Sequence, residues 1–253
     1  MRKYLVAGNW KMNGARRGIA QLIGSLKGNV PDSVEVLVFP PSIYIDQVGA
    51  DLQGSLIKLG GQNVDWREQG AVTGEISVSM LKDVGCTYCL VGHSERRQLF
   101  AETDEQVVNK FKACIADGLS PVLCVGESLE QRKMGQTMEV VTRQIRAVID
   151  GIGIAATRQG IIAYEPVWAI GTGESATPEQ AEEVHSAIRD LLRQEDTETA
   201  ENMQILYGGS VKQDNAAGLF EKDNIDGALV GGASLVSDDF IGICQAAANR
   251  MEE

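Results

Sequence analysis

Basic residues are the minority among the charged side chains of this sequence. The chain has 23 Lys and Arg against 35 Asp and Glu, which gives a formal net charge of −12 at pH 7. Such an excess of negative charge repels nucleic acids and anionic membranes, so we expect neither as a partner. It also requires that any anionic substrate be held by a positive field confined to its own site.

Long apolar runs are also missing. No stretch approaches the ~20 apolar residues that a helix needs to cross a bilayer, and we identify no secretory signal at the N-terminus. The cysteines number five, an odd count, which is typical of free thiols in a reducing compartment. We therefore expect a cytoplasmic protein.

Metal-ligating residues are scarce. Cys86 and Cys89 have the spacing of a redox or zinc motif, but no second Cys or His pair accompanies them. The residues from Tyr88 to Val91 are typical of a buried strand, which gives Cys89 a place in the core instead. We therefore predict no metal site.

Short apolar runs, by contrast, recur along the whole chain. Each is rich in Val, Ile and Leu and is continuous rather than alternating, which is typical of strands buried on both faces of a parallel sheet. The eight runs are Tyr4–Ala7, Val34–Phe39, Leu56–Leu59, Tyr88–Val91, Pro121–Val125, Gly160–Tyr164, Gln204–Tyr207 and Gly227–Val230.

Amphipathic helical segments lie between these runs. Residues 103–106 (TDEQ) and 177–180 (TPEQ) both match a capping box, the second with Pro178 at the first helical position. Eight strands that alternate with helices, without a break in composition, predict one α/β domain over residues 1–253, a (β/α)8 TIM barrel. A doubly wound open sheet has the same alternation, and periodicity alone does not distinguish the two.

One connection is out of character. Residues 63–79 are glycine-rich and polar and show little periodicity. Loops of this length in compact domains are usually functional or disordered, and the residues alone leave both interpretations open.

Chemically unusual residues follow nearly every predicted strand at its carboxyl end. In a parallel barrel these ends meet on one face, where barrel enzymes place their active sites. The segments are 9–14 (NWKMNG), 92–97 (GHSERR), 124–127 (CVGE), 164–173 (YEPVWAIGTG), 208–210 (GGS) and 231–234 (GGAS).

The last two of these segments indicate the class of substrate. Glycines after strands seven and eight let backbone N–H groups approach a ligand closely, and a short helix opening at Ala233 would add partial positive charge. Barrels commonly bind phosphate at this position. A single Gly-Gly pair is more typical of a tight turn, but two at these strand ends, together with Lys11, favour a phosphate site.

Two side chains fit acid–base chemistry. Glu165 follows an apolar strand and precedes Pro166, so we expect a partly desolvated carboxylate with a raised pKa, suited to taking a proton from carbon. A helix-capping or ion-paired glutamate is the alternative. His93 ends a buried strand where a helix begins, and a helix N-terminus disfavours the imidazolium, so we expect a neutral ring that donates to a carbonyl.

Two further residues have an ordinary interpretation beside the functional one. Lys11 lies at a strand end beside Asn9, where it is placed to meet an oxyanion, although a solvated surface charge is the alternative. His185, the second of two histidines, lies within a predicted helix, and we assign it to the surface or to packing.

Four segments together resemble the signatures of the triosephosphate isomerase family, in that family's order and spacing. They are 8–14 (GNWKMNG), 92–97 (GHSERR), 163–173 (AYEPVWAIGTG) and 207–211 (YGGSV), and the resemblance covers almost the whole chain. It implies interconversion of two triose phosphates through an enediol(ate), with no metal and no cofactor. The resemblance also implies the pairing of a Glu base with a neutral His, which is that family's established arrangement.

The resemblance also implies a role for each matching residue. Glu165 would move the proton between carbons, His93 would polarise the carbonyl, and Lys11 and Asn9 would stabilise the oxyanion. Other matching residues would support the site or bind the phosphate. They are Glu95 as the partner of Lys11, Cys124 as packing behind Glu165, Leu229 as lining, and Gly171, Ser210, Gly231 and Gly232 as phosphate contacts.

Residues 166–172 resemble the family's lid, which closes over the substrate and excludes water. The resemblance implies that Tyr207 and Ser210 latch the closed lid. It also implies that Glu127 is the partner of Trp168 in the open state.

The unusual loop resembles the family's subunit contact. Residues 70–75 (GAVTGE) match a loop that enters a neighbouring subunit, where Thr73 would support Asn9 and Glu95 across the interface. We therefore predict a homodimer. The family often has Phe where this chain has Val72, and the loss of aromatic area bears on the strength of that contact.

Two other functions remain open on the sequence. A related barrel isomerase would act on a larger sugar phosphate, and a non-catalytic barrel would bind a sugar phosphate without turning it over. Intact Lys11, His93 and Glu165 argue against the second, since loss of the base is the simplest route to such a protein.

Overall fold

Eight parallel strands close into a barrel in chain order, with β8 hydrogen-bonded to β1. The structure is a computed structural model that describes residues 2–169 and 176–252. The closed ladder confirms the predicted (β/α)8 TIM barrel and excludes the open doubly wound sheet. The strands are β1 (Leu5–Asn9), β2 (Glu35–Phe39), β3 (Lys58–Gly61), β4 (Tyr88–Val91), β5 (Ser120–Val125), β6 (Ile161–Tyr164), β7 (Ile205–Tyr207) and β8 (Gly227–Val230).

The predicted position of β3 is wrong by two residues. Leu56 lies outside the strand and is 65% exposed, while Gly60 and Gly61 belong to it. A Cβ atom at Gly60 would lie 2.3 Å from the ring of Phe39, so this ring fills the space that a side chain would need. The two glycines at the end of β3 add no apolar side chain to the pattern. The strand predicted from apolar residues therefore ends too early.

Helices follow the strands and cover the outside of the barrel. Both predicted capping boxes form, Thr103 with Gln106 and Thr177 with Gln180, and Pro178 opens its helix. The helices are α1 (Arg16–Leu26), α2 (Ile45–Asp51), α3 (Val78–Asp83), α4 (Ser94–Leu99), α5 (Asp104–Ala116), α6 (Leu129–Lys133), α7 (Thr137–Ile152), α8 (Ile154–Thr157), α9 (Pro178–Glu195), α10 (Thr197–Asn202), α11 (Gln213–Phe220) and α12 (Ser237–Glu252). Short 3-10 turns occupy Ser42–Tyr44, Val167–Ala169 and Gly232–Leu235, so the helix expected at Ala233 is a single 3-10 turn that starts one residue earlier.

The buried side chains form two layers, as a barrel with helices outside requires. One layer fills the barrel interior and the other lies between strands and helices. The interior layer consists of Leu5, Ala7, Leu37, Phe39, Leu90, Val122, Cys124, Ile161, Ala163, Leu206 and Leu229. All five cysteines are buried free thiols. Among the described helices, none is both long enough and apolar enough to traverse a bilayer.

The long connection lies between β3 and α3. It ends at Ser77, two residues earlier than predicted, because Ser77 caps α3 by accepting from the backbone N–H of Met80. Its base is closed where the Asp65 N–H donates to the Ile76 carbonyl at 2.8 Å. The tip, residues 70–75, is exposed except for half-buried Val72.

Candidate active site

The carboxyl ends of the strands surround one cavity of about 650 Å³. Residues from β1, β4, β6, β7 and β8, or from the loops that follow these strands, line it. Those that the sequence predicted are Asn9, Lys11, His93, Glu165, Ser210, Leu229, Gly231 and Gly232. The structure therefore brings together residues from both ends of the chain, as the parallel topology requires.

Glu165 lies directly after β6 with its carboxylate buried in this cavity. Its side chain is only 2% exposed, and its Oε1 lies 3.0 Å from Nε2 of His93. The backbone N–H of Ser94 donates to Oε2 at 2.9 Å, and the Ser94 hydroxyl donates to Oε1 at 3.3 Å. Every oxygen of this carboxylate thus has a partner from the start of α4.

The raised pKa predicted for Glu165 is wrong for this arrangement. Burial does act in the predicted direction and is the largest single influence. The electrostatic influence and hydrogen bond of His93, the Ser94 N–H and the charge of Lys11 together outweigh it and lower the pKa below its usual value. The sequence indicates desolvation but not these partners, which are distant in the chain.

His93 caps the N-terminus of α4. Its Nδ1 accepts a hydrogen bond from the backbone N–H of Glu95 at 3.2 Å, and its Nε2 faces Glu165. Only a neutral ring can accept at Nδ1 while it donates from Nε2, so this geometry favours the neutral tautomer. Burial opposes protonation of the ring, yet the nearby Glu165 carboxylate raises the pKa of His93 above its usual value. In the neutral ring, the Nε2 proton lies between His93 and the Glu165 carboxylate.

Lys11 is held in an unusual backbone conformation beside Asn9. Its φ of +51° lies in the left-handed region, which is rare for residues other than glycine. Asn9 Oδ1 accepts from the Lys11 N–H at 3.0 Å, and Gln62 donates to the Lys11 carbonyl at 2.9 Å. The ammonium group lies 2.7 Å from Oε1 of Glu95. Local contacts thus aim the cation at the cavity.

Glycines after β7 and β8 also line the cavity. A Cβ atom at Gly231 would lie 3.7 Å from Cε of Lys11, so the Lys11 side chain runs beside this backbone. The 3-10 turn after it is fixed by Ser234, whose N–H and hydroxyl donate to the Gly231 carbonyl at 2.9 and 2.7 Å. Gly171 lies outside the described residues.

The predicted lid begins beside a buried carboxylate. Glu127 is fully buried and accepts from Nε1 of Trp168 at 3.0 Å and from the Tyr164 hydroxyl at 3.1 Å. Arg132 also donates to Glu127 at 3.2 Å and stacks 4.5 Å above the ring of Trp168. Trp168 therefore has the partner that the resemblance implied, and Arg132 is an additional one.

Ser210, which follows β7, contacts this segment. The Ser210 hydroxyl donates to the Ala169 carbonyl at 2.8 Å. Burial raises the pKa of Tyr207 to about 12, against the lowering influence of the backbone at Ala176. The predicted lid residues 170–172 lie outside the described part of the chain.

Two predicted residues, Cys124 and Thr73, do not line the cavity. Cys124 is fully buried in the barrel interior, and burial, followed by the Glu165 carboxylate, raises the pKa of its thiol. Thr73 lies exposed at the tip of the β3–α3 loop. Of the two assignments for His185, packing is confirmed: the ring is fully buried, its centroid lies 5.8 Å from that of Tyr164 in an edge contact, and burial lowers its pKa to about 3.

Sequence reasoning missed several residues that hold this site. Ser94 lies inside a recognised segment but had no role assigned, and Gln62 and Arg132 were not considered. Their signal is weak because each acts on a backbone group or on a ring that is distant in sequence. Within the described ranges, no group of three or more His, Cys, Asp or Glu is arranged to hold a metal ion.

Comparison with known proteins gives one consistent result. The pattern of the triosephosphate isomerase family matches residues 4–247. The triosephosphate isomerase of Pseudomonas putida (strain W619) is 54% identical over 252 residues, which cover 98% of this chain and 100% of that protein. Those of Pseudomonas entomophila (strain L48) and Pseudomonas syringae pv. tomato are also 54% identical, with the same coverage. The chain therefore belongs to the triosephosphate isomerase family, whose members are isomerases.

Proposed function

We propose that this protein interconverts D-glyceraldehyde 3-phosphate and dihydroxyacetone phosphate through an enediol(ate), without a metal or cofactor. The observation that carries the proposal is the 3.0 Å contact between Glu165 and His93, in a cavity that Lys11 also lines. Proton transfer next to a carbonyl requires a base, a donor to the oxygen and a fixed positive charge. Relatives that are 54% identical over the full length bear the name of this activity.

Each proton in the proposed reaction returns to the substrate. Glu165 takes one from the carbon beside the carbonyl and delivers it to the former carbonyl carbon. His93, as the neutral ring, donates from Nε2 to the carbonyl oxygen and recovers a proton from the neighbouring hydroxyl. Asn9 and Lys11 stabilise the oxyanion that develops between these steps.

Movement of the Glu165 carboxylate towards the substrate would reconcile its lowered pKa with its role as a base. To reach a substrate carbon, the carboxylate leaves the Ser94 N–H and the His93 ring, which both lower its pKa. It remains buried, and burial acts in the opposite direction. We therefore expect Glu165 to become more basic at the moment when substrate is bound.

The phosphate group belongs at the glycine-rich end of the cavity. Backbone N–H groups of Gly171, Ser210, Gly231 and Gly232 would bind its oxygens, and Lys11 would offset its charge. The position of Lys11 beside Gly231 supports this assignment, as does the cavity lining by three of these four residues. Leu229 would form an apolar wall of the same cavity.

Residues 166–172 would act as the lid. The contacts of Trp168 with Glu127 and of Ser210 with Ala169 support two anchoring points for this segment. Closure would exclude water and retain the enediolate until the second proton transfer. Cys124 would pack behind Glu165, and Tyr207 would latch the closed lid.

The remaining proposals concern the whole chain. We propose a single domain over residues 1–253 and a homodimer in which Thr73 of one subunit supports Asn9 and Glu95 of the other. The closed ladder from β1 to β8 supports the first, and the exposed loop tip supports the second. Five buried free thiols support a location in the cytoplasm.

A coupled assay separates the three candidate functions. Purified protein is mixed with D-glyceraldehyde 3-phosphate, and formation of dihydroxyacetone phosphate is followed through a second enzyme that reduces it. A larger aldose phosphate and a binding measurement with inorganic phosphate are run in parallel. Turnover of the larger substrate alone would identify the related isomerase, and phosphate binding without turnover of either would identify the non-catalytic barrel.

A further inference from the structure

A buried glutamine on α7 contacts the backbone next to the catalytic base. Gln144 is 5% exposed, and the other buried residues of its helix are Val140, Val141, Ile145, Val148 and Ile149. A polar side chain among aliphatic residues is costly unless its hydrogen bonds are satisfied. The hydrogen-bond partner of the Gln144 side chain therefore indicates its role.

Both ends of the Gln144 amide bind one residue, Gly126. Oε1 accepts from the Gly126 N–H at 2.8 Å, and Nε2 donates to the Gly126 carbonyl at 3.4 Å. A primary amide offers an acceptor and a donor side by side, so it pairs with an extended peptide as a neighbouring strand would. Gln144 thus continues the hydrogen bonding of β5 one residue beyond the end of that strand.

The backbone of Gly126 packs directly against the backbone of Glu165. A Cβ atom at Gly126 would lie 1.8 Å from the Glu165 carbonyl oxygen, so the two backbones are in direct contact. The two backbone segments are hydrogen-bonded on both sides of this contact. The Glu165 N–H donates to the Val125 carbonyl at 2.7 Å, and the Val167 N–H donates to the Glu127 carbonyl at 3.2 Å. A shift of Gly126 would therefore displace Glu165.

The other side of Glu165 is also closed by a glycine. A Cβ atom at Gly208 would lie 2.9 Å from Cγ of Glu165. The base therefore lies in a slot between Gly126 and Gly208. Gly126 and Gln144 also line a second cavity of about 410 Å³. The Gly126 backbone therefore has room to move if the Gln144 amide is removed.

We propose that Gln144 is a positioning residue for Glu165, which acts by fixing Gly126; this rests on the proposed function, in which Glu165 is the base. Displacement of a reacting group by about 1 Å costs about 10²-fold in rate. The amide does not reach the substrate. Its loss therefore affects kcat and leaves substrate binding by Lys11, Gly231 and Gly232 intact.

The first test compares two substitutions on the same helix. Gln144→Leu removes both hydrogen bonds and keeps the volume, so we expect kcat to fall about 10- to 100-fold while KM changes less than about threefold. Val148→Ala, one turn further along α7, leaves a cavity in a fully buried position and serves as the matched control. It lowers the melting temperature without lowering kcat. Equal kcat for Gln144→Leu and the wild type would overturn the proposal.

The second test uses a proton as a switch. In Gln144→Glu, the protonated carboxyl accepts from and donates to Gly126 as the amide does, whereas the ionised form has no donor for the carbonyl. Burial raises the pKa of such a carboxyl. The ratio of kcat for Gln144→Glu to that of the wild type is therefore near one at acid pH and falls as pH rises. A purely structural role for residue 144 would give a ratio that does not depend on pH. A ratio that does not change with pH would therefore contradict the positioning role.

A third measurement separates this inference from the proposed function. With the Glu165 carboxyl carbon labelled for NMR, Gln144→Leu should raise the pKa of Glu165, because the displaced carboxylate leaves Ser94 and His93. This measurement needs no turnover. A wild type that converts no triose phosphate would overturn the proposed function, and an unchanged Glu165 titration would overturn the inference independently.

Discussion

At the scale of single residues, the site depends on where one carboxylate lies. Glu165 is surrounded by donors from the start of α4, by Lys11 and by two glycine backbones. The contacts of the carboxylate with Ser94 and His93 depend on the length of the glutamate side chain. Shortening that side chain therefore separates the position of the base from its charge.

Glu165→Asp withdraws the carboxylate by about one methylene and keeps its charge. We expect kcat to fall about 10²-fold or more, because the base no longer reaches the substrate carbon, while KM changes little. Steady-state kinetics in both directions test this. Glu105→Asp, at an exposed position of α5, is the matched control and keeps full activity. An unchanged kcat for Glu165→Asp would exclude Glu165 as the base.

His93→Leu reports on the electrostatics of the same pair. It removes the electrostatic influence and the hydrogen bond of the ring, which lower the pKa of Glu165, and keeps the burial that raises it, so this pKa should rise. Titration of the labelled carboxyl by NMR measures the change, and His93→Gln, which keeps an N–H donor, should fall between the two. If the pKa of Glu165 stays equal in all three proteins, His93 does not set it.

The same pKa predicts how stability depends on pH. A carboxyl whose pKa is lowered by folding stabilises the native state above its unfolded pKa, and this contribution is lost as pH falls through the folded value. For Glu165, the wild type should therefore lose stability in acid that His93→Leu does not lose. Urea unfolding at neutral and acid pH measures the difference.

At the scale of elements, local signals were predictable and long-range contacts were not. The capping boxes at Thr103 and Thr177 form as predicted, because each involves residues three positions apart. The position of β3 and the pKa of Glu165 were wrong, because Phe39 and His93 decide them from other strands. The segments at the strand ends located the cavity, since parallel topology alone brings those ends together.

The proposed lid, residues 166–172, is the element whose loss has the clearest expected chemical signature. Deletion of residues 169–171 removes the Ala169 carbonyl that accepts from Ser210, together with the middle of the segment. Water then reaches the enediolate, so loss of phosphate per isomerisation should increase. Release of inorganic phosphate measures this, and Ser210→Ala, which removes the single contact, should act in the same direction but less strongly. Unchanged partitioning between the two products would argue against the lid.

At the scale of the whole molecule, four large apolar side chains are exposed in segments that follow strands at the carboxyl face of the barrel. Met12, Ile43, Leu99 and Phe100 are 95%, 74%, 74% and 66% exposed, and they follow the carboxyl ends of β1, β2 and β4. Large exposed apolar side chains grouped in one region are typical of an interaction surface. The β3–α3 loop leaves the barrel between β2 and β4, so in a two-fold dimer each loop would cover this face of its partner.

Thr73→Arg tests that assembly at the loop tip. A charged side chain that must be desolvated in the contact should dissociate the dimer, and kcat should fall because Asn9 and Glu95 lose their support from the second subunit. Sedimentation velocity at micromolar protein, together with activity at the same concentration, measures both. Gln53→Arg adds the same charge at an exposed position on the opposite end of the barrel and should leave both unchanged. Val72→Phe should strengthen the dimer by adding apolar area to the contact. A wild type that sediments as a fully active monomer would exclude the homodimer and leave the exposed apolar face without this partner.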